Sequence, residues 1–161
     1  MSEAVLDWNT ILSAIENELR GVTNANGDLA FVDVLPGKPL GLPLGGPYAC
    51  FWYEGRMPSR EGETSMGNVM YAARIAVQAF WPRQAERATL LALEADIATV
   101  DTGIRRAFRA NSTIHSTVTD LTITDTERDN GVFAGSQNQT VYESIAFELR
   151  LDNLEGEAIS A

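Results

Sequence analysis

The chain has 161 residues and a formal net charge of −10, with 12 Lys and Arg against 22 Asp and Glu. That length suits one domain burying roughly 70% of its unfolded surface without disulfide or metal staples. The lone Cys50 excludes an intrachain disulfide and fits a reducing compartment, and the acidic surplus with a single lysine, Lys38, argues against tight binding to nucleic acid or an anionic membrane.

In chain order, residues 2–20 are predicted to form a helix. Val5, Trp8, Leu12, Ile15 and Leu19 recur at three-four spacing, Ser2 is a suitable N-cap, and Gly21 stops the run. Asn24, Asn26 and Gly27 make a turn before a short strand over 29–35. Residues 36–47 carry four prolines and four glycines, which leaves neither helix nor central strand tenable. Leu40, Leu42 and Leu44 within this arm pack either on their own domain or against a neighbouring subunit. Residues 48–53 are apolar on both faces of a strand and so belong at a sheet centre, or under cover on both sides. Residues 54–68 turn polar and Gly-rich and read as an exposed loop of a long hairpin, where Arg56, Met57 and Arg60 are candidate partner contacts.

From 69 to 81 the period is two, sending Val69, Tyr71, Ala73, Ile75, Val77, Ala79 and Trp81 to one apolar face. Pro82 suits the first turn of a following helix that runs to Ala110, with Leu90, Leu93, Ile97, Val100 and Ile104 as its stripe. A striped helix directly after a striped strand hides both faces by folding back across the sheet. Gly103 costs that helix about 1 kcal/mol against Ala and marks a close approach or a kink. Residues 113–124 read as a Thr-rich strand with a bulge near Thr119. Asn130-Gly131 signals a tight turn. Residues 140–151 form the cleanest strand, with Glu143 on the apolar face near a rim. The acidic stretch 152–161 is taken as a disordered tail, leaving 1–151 as the domain. The sum is an α+β order of helix, three strands, helix and two strands, with the last strand pair antiparallel.

A chemical centre is hard to assemble. His115 is the one histidine, and Ser112 or Ser116 with Asp120 supplies no nucleophile elbow beside it. Asp125, Glu127, Asp129 and Gly131 approximate a calcium loop but put Asn130 and Ser136 at its sixth and twelfth places, where Gly and Glu are required. A charged hairpin that resists edge-to-edge pairing fits this stretch better. Residues 41–46 lack the Lys-Ser/Thr pair of a P-loop. Trp52, Tyr53, Phe80 and Trp81 lack the nearby cations of a base-stacking platform and read as core. Arg74 and Gln78 interrupt the best membrane-span candidate, and the N-terminus has no secretory signal, so synthesis is cytoplasmic. No catalytic, cofactor or metal residue is assigned. A small enzyme or ligand-binding domain, with a pocket between helix 84–110 and the sheet and with His115 and Asp120 as candidates, is the competing class.

The helix around 8–15, the Pro-rich approach through Leu42-Pro43 to strand 48–53, the strand 74–80, the helix after it and two closing strands resemble the tail terminator (tail-completion) proteins of long-tailed bacteriophages. The resemblance covers most of 4–151 and lies in size, order and texture. It implies an α+β subunit, a mostly antiparallel sheet of about five strands backed by two helices, that assembles as a hexameric ring, caps the tail tube, and offers a docking surface to the neck or head-completion protein. DNA would pass through the lumen without specific binding, the location would be the virion, and no reaction or cofactor would be involved. A head-side joining protein is the alternative. The interface residues expected from polarity and position are Leu40, Leu42, Leu44, Arg56, Met57, Arg60, Asp125, Glu127 and Asp129.

Overall fold

A computed structural model describes residues 7–39, 46–63, 68–82, 87–114, 120–124, 127–132 and 141–157. Helix α1 spans Trp8–Arg20 and starts later than the sequence pattern predicts, because Asp7 caps it in an extended conformation. The Asp7 carboxylate accepts from the Thr10 backbone N–H at 3.3 Å and from its hydroxyl at 2.7 Å. Gly21 closes the helix, donating its N–H to the Asn17 and Glu18 carbonyls. The predicted strand over 29–35 shrinks to β1, Asp33–Pro36, while Leu29 makes only an isolated bridge to Thr23 across the Asn24 turn.

Strand β1 runs parallel to β2, Tyr48–Glu63. β2 is antiparallel to β3, Asn68–Pro82, and β3 is antiparallel to β6, Val141–Glu157. The far side of β6 carries β4, Asp120–Ile123, and then β5, Glu127–Val132. The sheet therefore has six strands rather than five, in the order β1-β2-β3-β6-β4 with β5 also on β6. From Ile123 to Glu127 the edge advances four positions while its partner moves three, from Leu149 to Ala146. One extra residue thus breaks a single edge strand into β4 and β5. Thr124 holds the break, donating its N–H and its hydroxyl to the Glu148 carbonyl at 2.9 and 3.1 Å.

Three local expectations fail in the same way, with pairing along a long neighbour overriding local composition. The polar stretch from Glu54 stays in β2 as far as Glu63, after a bulge where Tyr53 and Gly55 face Ile75 and Arg74, and Gly55 supplies φ +141°. Asn130 and Gly131 lie inside β5, opposite Glu143 and Tyr142, and make no turn. The supposed tail from 152 continues β6 to Glu157, where Leu154–Glu157 pair with Tyr71–Asn68. Residues 111–114 form a turn, so the predicted strand over 113–124 is described only as β4. Thr119 and residues 158–161 lie outside the described residues.

Pro82 ends β3 instead of opening a helix, and α2 is described from Arg87 to Ala110. Ile11, Ile15 and Leu19 of α1 and Ile97, Val100, Ile104 and Phe108 of α2 share one core with Val34, Phe51, Ile75, Val77, Trp81, Phe147, Leu149 and Leu151. Both helices thus cover the same sheet face, and for α2 this is what the stripes on 69–81 and 90–104 predict. Gly103 is a close approach: a Cβ there would meet Val22 Cγ1 at 3.3 Å. Glu143 does sit on the core face, only 7% exposed. Arg128 reaches it at 3.5 Å and also grips Glu94 of α2 through both guanidinium nitrogens at 2.6 Å, tying the edge strand to the helix.

Both sheet edges are blunted against further strands. On β1 the Val34 N–H is taken by Asp33 Oδ1 at 2.8 Å and its carbonyl by Arg20 at 2.9 Å, while Pro36 has no N–H to give. On β5 the Asn130 N–H is held by Asp129 Oδ1 at 2.8 Å, beside exposed Glu127 and Arg128.

Candidate functional site

With both helices on one face, no helix among the described residues covers the second face of the sheet, whose middle rows are partly exposed. Register places side chains there in rows across β2, β3, β6 and the β5 edge. Tyr48, Phe80, Ser144 and Asp129 form one row, and Cys50, Gln78, Ala146 and Glu127 the next. Trp52, Ala76 and Glu148 form the third, and Arg74, Arg150 and Thr122 the fourth. The first row is aromatic and closed: the Tyr48 and Phe80 rings stack at 4.9 Å, and Tyr142 meets Tyr48 edge-on at 6.2 Å.

The remaining rows form a shallow depression of about 330 Å³ with Ala76 and Ala146 in its lining. Around these small side chains stand Trp52, Gln78, Glu54, Glu127 and Glu148. The Trp52 indole donates to Glu54 at 2.5 Å and Gln78 to Ser144 at 3.3 Å. Arg74 and Arg150 face each other across β3 and β6, an arrangement unfavourable for like charges. Arg150 is neutralised by Asp152, which accepts from its Nε at 2.9 and 3.0 Å. Arg74 differs: its Nε is enclosed, with no acceptor among the described residues. An enclosed donor without a partner is costly.

A second feature lies at one end of the sheet. β2 beyond Arg56, β3 before Ala72 and β6 beyond Asp152 continue pairing with one another past the last core row, Ala73–Leu151. From Ala73 to Asn68 this three-stranded arm is roughly 17 Å long at the usual rise of a strand.

The residues predicted as contacts fall into separate groups. Met57 and Arg60 belong to the β2 side of the arm and Arg56 stands at its root, with Arg56 opposite Ala73 and Met57 opposite Ala72. Glu127 and Asp129 lie on the β5 edge of the open face, both exposed. Leu40, Leu42, Leu44 and Asp125 lie outside the described residues, as do His115, Ser116 and Ser136. The gap between α2 and the sheet, where a ligand pocket was considered, is filled by Ile97, Val100, Ile104 and Phe108. Among the described residues no group of three or more His, Cys, Asp and Glu could hold a metal ion, and no helix is long and apolar enough to cross a membrane.

Trp52, Arg74, Gln78 and Glu148 were not among the predicted contacts. Their signal was present in the mixed alternate face of 70–80, where Arg74, Ala76 and Gln78 interrupt an otherwise apolar strand. No family model and no curated protein matches this chain.

Cys50, buried beneath the open face, has its thiol pushed up to about 11, first by burial and then by the Asp33 charge. Thiolate at pH 8 is then about a hundredfold scarcer than for a thiol at the ordinary value. A maleimide reagent is expected to leave the native protein unlabelled at pH 8 and to label it fully in 6 M guanidinium. Rapid labelling without denaturant would contradict the burial.

Proposed function

We propose that this chain is a phage tail terminator: a virion protein whose copies close into a ring, taken as six-fold, that caps the tail tube and receives the neck. The observation that carries the reading is the division of the sheet. One face is covered by two helices, while the other carries no helix among the described residues and presents a broad, mixed and shallow surface, a shape that fits a macromolecular surface better than it encloses a small substrate. Blunted edges favour contact through faces over open-ended strand addition. The three-stranded arm and the exposed charges of Glu127 and Asp129 give such a subunit contacts at opposite ends of its sheet. The net charge of −10 suits a lumen that DNA must cross without adhering.

The test is complementation in particle assembly. Tails made without this chain are expected to fail to join heads, and added purified protein is expected to restore joining. Normal joining in its absence would contradict the reading.

A further inference from the structure

Among the described residues no helix covers the open sheet face, whereas two cover the other, and the same chain carries a helix surface suited to it. Along the outward side of α2, Leu91, Ala95, Ala98 and Thr102 follow one another at spacings of four, three and four, all exposed, with Leu91 at 65%. No charged side chain interrupts that ridge for three turns, which is unusual for a helix facing water. The Thr102 hydroxyl is turned inward onto the Ala98 carbonyl at 3.0 Å. The ridge then ends in Arg106 and Arg109, both exposed and without an ion pair among the described residues. The open face offers the complement: the small side chains Ala76 and Ala146 in its lining, Trp52 at one side, and Glu54, Glu127 and Glu148 around it. The dimensions agree, since the ridge from Leu91 to Thr102 is about 16 Å long and the face from Tyr48 to Glu54 about 20 Å.

The geometry points to a second copy of this chain as the occupant: the α2 ridge of one subunit lies across the open sheet face of the next, with Arg106 and Arg109 against the Glu127–Glu148 side. The contact is head-to-tail, because the two surfaces lie on opposite sides of the subunit, and contacts of that kind close into rings when the rotation allows. This inference rests on the ring reading and names the surfaces that would make the ring.

A charge swap tests it, with assembly followed by mass photometry and multi-angle light scattering across concentration. The double variants R106E/R109E and E127R/E148R are each expected to raise the concentration needed for assembly at least tenfold, with unchanged circular dichroism. An equimolar mixture of the two is expected to form mixed complexes that each alone does not. Independently of charge, Ala98→Cys and Ala146→Cys chains, mixed and oxidised, are expected to give a cross-linked dimer, whereas either chain alone gives none. Wild-type assembly with both double variants assembling normally and no cross-link would overturn this interface while leaving the ring intact. Intact variant rings that no longer bind tail tubes would assign the face to the tube protein and likewise overturn it. A wild-type protein that stays monomeric at every concentration would overturn the ring reading itself.

Discussion

Trp81→Ala is expected to lower the stability of the folded chain by about 3–5 kcal/mol, a large part of what a domain of this size possesses. Trp81 is 2% exposed, stands opposite Glu143 in the β3–β6 ladder, and tilts against Phe31 with ring centroids 6.2 Å apart. It is the largest fully buried side chain, at the end of the row of Ala73, Ile75, Val77 and Ala79. Its removal leaves a void beneath strands whose backbone is held by pairing on both sides, so the site has little freedom to collapse. Urea unfolding followed by far-ultraviolet circular dichroism would report the change as a lower midpoint. A loss below about 1 kcal/mol would mean that the residue is not in the core.

Gly103→Leu is the second large effect. A mere Cβ at this position approaches Val22 Cγ1 to 3.3 Å, and Val22 is 5% exposed in the segment following α1. Gly103→Ala therefore sets a gain in helix propensity of about 1 kcal/mol against a small displacement of Val22, and is expected to change stability little. Leucine adds three further carbons beyond that contact, and overpacking against Val22 costs about 1–3 kcal/mol. The comparison of alanine with leucine isolates packing from backbone freedom. Equal stability for the two variants would show that α2 and the Val22 segment do not meet closely.

What could be read from the sequence was whatever depends on period. The alternation from Val69 to Trp81 and the stripe from Leu90 to Ile104 fix which faces are buried, and they led directly to a helix folded back across one sheet face. The unreadable parts depend on partners distant in sequence. Residues 54–63 look like a loop because Gly and charge dominate locally, yet β3 supplies a ladder for them and β6 a further one for β3. Asn130-Gly131 looks like a turn for the same reason, until β6 holds it straight. Pro82 is tolerated at a strand's last residue as readily as at a helix's first turn, and nothing local separates the two. The open face was half legible: Arg74 and Gln78 announced that one side of β3 was not core, but no spacing rule could tell that β2 and β6 would align Trp52 and Glu148 beside them.

The central claim is that this polypeptide works by fitting against copies of itself. Electron microscopy of the purified wild-type protein, with native mass spectrometry on the same sample, tests it most directly. The account predicts closed rings of one size with a central opening and a mass equal to a whole multiple of the 17.5 kDa chain. Isolated 17.5 kDa particles throughout, at every concentration and in the presence of tail tubes, would contradict it.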